Sequence, residues 1–342
     1  MNMAQTPIVV TMGDPAGVGP EITLKAFAAR SETTVPWLWV GDPAVLRWTA
    51  QQLGLPLPPL HDLSPNDAFD KAPGGALSIL STKASIDLDK LSFGVANGTH
   101  AACVVESIET AAAWAMDGRV GGVVTPPINK AVLHAGGFQW PGHTELLGHC
   151  TGVHAPVMML AGEGLRVVPA TIHQSIRSVP DALSMEGLSH NFQVVISSLH
   201  RDFGVKDPKV AICALNPHAG EGGAFGDEES QIIEPAMTLA NLGKSLEGPF
   251  PADALFSESA RAPYDAIICM YHDQALIPIK MHCFGQATNI TLGLPIIRTS
   301  VDHGTAYDIA GTGQAHHSAL LTAVEQAQSM AYNRWKWQQE RS

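Results

Sequence analysis

Short apolar runs punctuate the chain, and most of them are followed by polar residues capable of chemistry. Ile8 to Met12 is β-branched and ends in Gly-Asp-Pro-Ala-Gly-Val-Gly-Pro. Pro20 then opens an expected helix through Ala29, because proline suits the first helical turn. Trp37 to Val40 predicts a second strand, followed by a helix near Ala44 to Leu53. The stretch 56–75, rich in Pro, Asp and Gly, reads as a loop. Apolar residues at helical spacing run from Ala96 to Met116, and Gly121 to Thr125 is a strand entering two prolines. Leu165 to Ala170, Val210 to Leu215 and Ala266 to Met270 read as buried strands. Helices are expected near Met185 to Phe203, Glu228 to Leu242 and Ser318 to Lys336. This alternation predicts an α/β fold, with a mostly parallel sheet and helices on its faces.

Length and composition narrow the picture. The chain has 342 residues, which suits two domains of ~150 residues each. The Pro-rich segment from Thr125 to Pro141 is a plausible crossing between them. An apolar fraction of 45% against 15% charged residues marks a globular chain. A net charge of −12 argues against nucleic acid or an anionic membrane as the main partner. It leaves room for an anionic small molecule, which responds to the local field of its cleft. The five cysteines form no Cys-x-x-Cys pair, and Cys213 and Cys269 lie in apolar runs. Buried free thiols of a reducing compartment are the simplest reading. Without a leader-like start at Met1 or a span of ~20 apolar residues, the expectation is a cytoplasmic protein.

Three histidines follow three of the predicted strands: His173 in Thr-Ile-His-Gln, His218 in Asn-Pro-His-Ala-Gly-Glu, and His272 in Met-Tyr-His-Asp-Gln. In open α/β sheets, ligands collect at the carboxyl ends of the strands. A lone histidine is more often a hydrogen-bonded structural residue than a ligand. Three at equivalent strand ends, beside Asn216, Glu221, Asp273 and Gln274, point to a divalent metal with an open position. Nitrogen donors favour zinc or another late first-row metal over magnesium or calcium. The spacings of ~45 and ~54 residues match no zinc finger.

Other segments carry two readings each. Gly13 to Glu21 sits at a strand-to-helix turn and suits either a tight turn or a phosphate cradle. It is neither Gly-x-Gly-x-x-Gly nor a P-loop. His143 and Thr144 offer donors for phosphate or hydroxyl groups, or simply start a helix with Thr144 as cap. Lys280, Asn289 and Arg298 together suit a phosphate monoester, or are ordinary surface groups. The loop from Thr299 to Gly311 suits a nucleotide or a structural turn.

Taken together, these segments resemble the 4-hydroxythreonine-4-phosphate dehydrogenase family of pyridoxal phosphate biosynthesis. The residues that carry the resemblance are 12–22 (Met-Gly-Asp-Pro-Ala-Gly-Val-Gly-Pro-Glu-Ile), 141–145 (Pro-Gly-His-Thr-Glu), 215–223 (Leu-Asn-Pro-His-Ala-Gly-Glu-Gly-Gly), 270–274 (Met-Tyr-His-Asp-Gln) and 289–306. The resemblance implies an isocitrate/isopropylmalate dehydrogenase-like fold of two α/β/α domains with an interdomain cleft. It implies one domain over 1–130 plus 283–342, holding the termini and the nucleotide loop. The second, 131–282, would carry the dimer interface and most metal ligands. It also implies a homodimer with the metal site shared between subunits, and ligands at His173, His218 and His272.

Substrate contacts fall by motif on His143, Thr144, Lys280, Asn289 and Arg298. The stretch 303–311 is similar to the nucleotide loop of isopropylmalate dehydrogenases, which places NAD or NADP at Gly304, Thr305, Ala306 and Asp308. Asp273 is a candidate base, or orients its neighbour His272. The implied metal is zinc, with cobalt, manganese or magnesium as alternatives. The implied reaction oxidises 4-phosphooxy-L-threonine at its C3 hydroxyl; the product then decarboxylates to 3-amino-2-oxopropyl phosphate. A dehydrogenase of threonate or erythronate 4-phosphate is the alternative, and an inactive metal or nucleotide sensor a remote one. Before Asn289 the chain has Phe-Gly-Gln-Ala-Thr where the family commonly has Gly-Val.

Overall fold

The apolar runs become strands covered on both faces. Every residue of Ile8–Thr11, Trp37–Gly41, Gly122–Thr125, Val210–Cys213, Ala266–Cys269 and Arg298–Val301 is buried. Continuous rather than alternating burial is the mark of strands sandwiched between helices. A computed structural model describes residues 6–31, 35–64, 75–140, 142–283 and 285–341. Pro141 of the Pro-Gly-His-Thr-Glu motif, Phe284 before Asn289, and 65–74 of the expected 56–75 loop lie outside the described residues.

Among the described residues the strands are, in chain order, β1 (Ile8–Thr11), β2 (Trp37–Gly41), β3 (Leu60–Asp62), β4 (Leu77–Ser81), β5 (Gly122–Thr125), β6 (Val157–Gly162), β7 (Leu165–Pro169), β8 (Val210–Cys213), β9 (Leu246–Phe250), β10 (Ala266–Cys269), β11 (Thr288–Leu292) and β12 (Arg298–Val301). The chain divides into two compact units, one of 1–156 and 294–332, the other of 157–293 and 333–342. These crossings fall later than the expected 130/131 and 282/283. The reason is packing: the helix His143–Thr151 lies on the helix Ala101–Met116, and β11 pairs with β6.

In the first unit the strands run β3-β4-β2-β1-β5-β12, all parallel. The short β3 falls inside the stretch read as a loop. The helix Pro43–Leu53 is set by local chemistry: Asp42 Oδ1 accepts the Ala44 N–H at 2.9 Å, and Gly54 ends it at φ 62. The helix expected from Ala96 begins only at Ala101, after a 3₁₀ turn over Gly98–His100 whose start is capped by Asn97.

In the second unit the order is β11-β6-β7-β10-β8-β9. β7, β10, β8 and β9 are parallel, as the alternation predicts. β6 departs from that pattern and is antiparallel to both β7 and β11. Its two-residue connection explains this: Glu163 and Gly164 both have positive φ, 46 and 80, as a hairpin turn matching the strand twist requires. The helix expected near Glu228 to Leu242 starts as a π turn, Glu229–Ile233, before the α-helix Glu234–Ala240. Pro235 has no N–H to donate, so the regular bonding pattern cannot run through it. Cys213 and Cys269 are both buried as free thiols, with sulfurs 3.9 Å apart. Among the described residues no helix is long and apolar enough to cross a membrane.

Candidate active site

The three strands that precede the histidines are neighbours. β7, β10 and β8 lie side by side and parallel, so His173, His218 and His272 all leave the same sheet edge of the second unit. Polar side chains tie these strand ends together. Thr171 Oγ1 donates to the Met270 carbonyl at 2.8 Å. Gln274 accepts the Met270 N–H at 2.7 Å and donates to the Ala214 carbonyl at 2.8 Å. The loops after β7, β10 and β8 are thereby cross-linked just before each histidine.

The His173 and His272 rings lie 6.0 Å apart between centres. Two imidazoles can take that separation around one ion whose bonds to nitrogen are about 2.0–2.1 Å long. His272 Nδ1 is 3.0 Å from Asp273 Oδ1. A carboxylate there keeps the proton on Nδ1 and leaves Nε2 for a ligand. His218 lies on an exposed loop in which residues 218 to 222 all have positive φ. His218, Ala219 and Glu221 are non-glycine residues in that region, which costs of order 1–3 kcal/mol each. The buried carboxylate of Glu229 holds the loop's entry. It accepts the Leu215 and Asn216 N–H groups at 2.9 and 2.8 Å and the Asn216 side chain at 3.0 Å. Among the described residues, no three His, Cys, Asp or Glu side chains come together as a metal-holding group. The chain by itself therefore does not assemble His173, His218 and His272 into one set.

The expected substrate residues are divided between the units. Lys280, on the helix His272–His282, and Asn289, on β11 opposite Leu160, are half-buried in the second. His143, Thr144 and Arg298 belong to the first. Arg298 opens β12, is 4% exposed, and donates to Thr125 Oγ1 at 2.8 Å. Burial pulls its pKa down to about 10, partly offset by Glu145. His143 is partly exposed, but its Nε2 is buried and has no hydrogen-bond partner among the described residues. Burial and the nearby Arg298 charge push this imidazole well below its ordinary pKa, so it is neutral at pH 7. A buried guanidinium beside a neutral imidazole with an unused nitrogen suits an anion that accepts from both.

The loop expected to hold the nucleotide also lies in the first unit. A Cβ at Gly304 would meet nothing within 4 Å, and Ala306 has φ 46. The Val18 N–H donates to the Thr305 carbonyl at 3.0 Å, which pins the loop to the Gly13–Gly19 turn. A groove of about 770 Å³ adjoins the following residues, lined by Gly313 to His317 with Leu24, Lys25 and Leu55 among others. Sequence reading missed Glu229, Thr171, Thr125 and the double role of Gln274. Apart from the Met270 N–H that Gln274 accepts from four positions away, their partners lie 13 to 173 positions away, and no local spacing signals such contacts.

The family model described as pyridoxal phosphate biosynthetic protein PdxA matches residues 33–327. A 4-hydroxythreonine-4-phosphate dehydrogenase from Xanthobacter autotrophicus is 44% identical, over 96% of this chain and 95% of that protein. One from Caulobacter vibrioides is 43% identical, over 97% and 99%. The crystal structure of the enzyme so named from Klebsiella pneumoniae has a TM-score of 0.87 at 37% identity, covering 97% of this chain and 99% of that one. A terephthalate 1,2-cis-dihydrodiol dehydrogenase from Burkholderia xenovorans is more distant, with a TM-score of 0.64 and 29% identity over 95% and 98%. With its motifs on a shared fold and its length matched nearly end to end, the chain belongs to the PdxA family of pyridoxal phosphate biosynthetic proteins.

Proposed function

We propose that this protein is an NAD(P)-dependent oxidoreductase that oxidises the C3 hydroxyl of 4-phosphooxy-L-threonine. The product, 2-amino-3-oxo-4-phosphooxybutanoate, is a β-keto acid and loses carbon dioxide to give 3-amino-2-oxopropyl phosphate. Near end-to-end identity of 43–44% to relatives named for this activity carries the reading. The buried Arg298 charge beside the neutral His143, whose Nε2 has no hydrogen-bond partner among the described residues, supports it, because a phosphate monoester brings an anion and acceptor oxygens to that place. Thr144, Lys280 and Asn289 are assigned to the remaining phosphate and amino-acid contacts. Fixing both ends of the substrate holds C3 in a reactive pose.

His173 and His272 are assigned to a divalent metal, zinc foremost, with His218 supplied by a second copy of the chain. The donor set fits: two imidazoles face each other at 6.0 Å, and Asp273 fixes the tautomer of one. When bound, such an ion acidifies the substrate alcohol as a Lewis acid. Asp273 acts through His272 as its orienting acceptor. Gly304, Thr305, Ala306 and Asp308 are assigned to NAD or NADP, the hydride acceptor.

The test is NADH formation by purified protein, with 4-phosphooxy-L-threonine compared against threonate and erythronate 4-phosphates. Higher kcat/KM on the amino acid phosphate is expected. A preference for either sugar acid would reassign the substrate, and no turnover of any of the three would remove the dehydrogenase reading.

A further inference from the structure

We propose that the hydrogen bond between Tyr307 and Asp14 is a positioning contact that presets the loop Gly304–Asp308 for its nucleotide. The proposal rests on reading that loop as the cofactor site. Tyr307 Oη donates to Asp14 Oδ2 at 2.6 Å, and Asp14 Oδ1 accepts the Ala16 N–H at 2.9 Å. Asp14 is 1% exposed and sits next to β1, in the Gly-Asp-Pro-Ala-Gly turn. One buried carboxyl thus holds both the turn's backbone and the loop's tyrosine.

The backbones around this contact are packed too closely for a side chain. A Cβ on Gly17 would lie 2.9 Å from the Thr305 carbonyl oxygen, and one on Gly94 would lie 2.7 Å from that of Tyr307. The Gly94 N–H donates to the Ala16 carbonyl at 2.8 Å. Three segments therefore meet here: the turn 13–19, the turn at Gly94, and the loop 303–311. Tyr307 stands between Ala306, at φ 46, and Asp308, so anchoring its side chain to Asp14 restrains the backbone between two residues assigned to the cofactor. The hydroxyl remains a donor at all working pH values, since burial and the Asp14 carboxylate both raise its pKa. A buried O–H···O⁻ bond is charge-assisted and stronger than a neutral one. It biases the loop toward one conformation before the nucleotide arrives, which lowers the ordering cost of binding.

Tyr307→Phe in the full chain tests this, with Asp308→Ala as comparator and fluorescence titration of NAD⁺ and NADP⁺ as the binding readout. The expected result for Tyr307→Phe is a rise of about tenfold in cofactor Kd and KM, with kcat at saturation changed by less than about twofold. The KM for the phosphorylated substrate should stay put. Combining Tyr307→Phe with Asp14→Asn should cost less than the sum of the two, as contacting partners do. If Asp308→Ala weakens cofactor binding and Tyr307→Phe does not, the positioning role is overturned while the loop assignment stands. If neither variant affects binding, the loop assignment itself is wrong. A parallel loss of kcat, both KM values and melting temperature in Tyr307→Phe would reduce the contact to a structural tie and overturn the proposal.

Discussion

At the scale of single residues, the surroundings of a side chain matter more here than its type. The Pro-Gly-His-Thr-Glu motif marks His143, but only its surroundings, burial and Arg298, hold its imidazole neutral. His100, also buried, is depressed by burial although the nearby Asp14 charge partly opposes it. The sign for stability follows. Above their ordinary value of 6.5 these groups are neutral in both states. Below it the unfolded chain takes up protons that the folded one refuses, so stability falls as pH drops toward the folded values. Denaturant melts from pH 8 to 5 should show this decline, and His143→Gln should flatten part of it. Glu229 belongs to the same scale. Glu229→Ala removes the acceptor of the part-buried Leu215 and Asn216 N–H groups and should cost about 1–3 kcal/mol. Chemical denaturation measures that loss. Isothermal titration with cobalt should show weaker metal uptake if the loop's entry positions His218. None of this was legible beforehand, because a pKa or an accepted N–H depends on what folds against the group.

Among elements, apolar runs located the strands well. β1, β2, β5, β7, β8 and β10 match their predicted runs to within two residues at either end. Their order was not legible, since a run that is buried on both faces does not name its neighbours. The hairpin of β6 and β7 was hidden for a similar reason: Glu163-Gly164 is not one of the strongest turn signals, and only its positive φ values reveal it. Helix ends depend on distant partners too. At the end of the helix Met185–Asp202, Asp202 is bonded by Arg201 at 2.8 Å and by Arg334 at 2.6 Å. Burial alone would raise its pKa, but the hydrogen bonds from Arg201 and Arg334 outweigh it and hold the carboxyl below its usual range. Its stabilising contribution is present above the ordinary value of 3.8 and is lost as pH falls through the lowered one. Asp202→Asn should cost about 1–3 kcal/mol, because it replaces the buried carboxylate that two partly buried guanidinium groups share with a neutral amide. Thermal or urea melts at pH 7 provide the check, and the deficit should shrink in acid.

For the whole molecule, the metal assignment makes a prediction about copies of the chain. If His173 and His272 act with His218 of a second copy, His173→Ala and His218→Ala are each inactive alone. Mixed after dissociation, they should regain about a quarter of wild-type activity, because half the dimers are then hybrids with one intact site. No regain would place all three ligands in one chain or dismiss the shared site. Chelation should abolish turnover in either case, and restored activity on adding back zinc or cobalt would identify the competent ions.

Most of the strands, and the positions of the candidate residues relative to them, were determined by the sequence itself, because apolar runs, turn residues and motif spacing act locally. The α/β class, the three strand-end histidines, Arg298 and the 303–311 loop could all be read from it. What tertiary structure decided was adjacency. It set β7, β10 and β8 side by side, put Gln274 across two of their ends, gave Asp14 to Tyr307, and left His218 outside any three-residue metal set among the described residues of the single chain. Such pairings join residues far apart in the chain, and burial and shape complementarity select them. Neither property exists until the chain has folded.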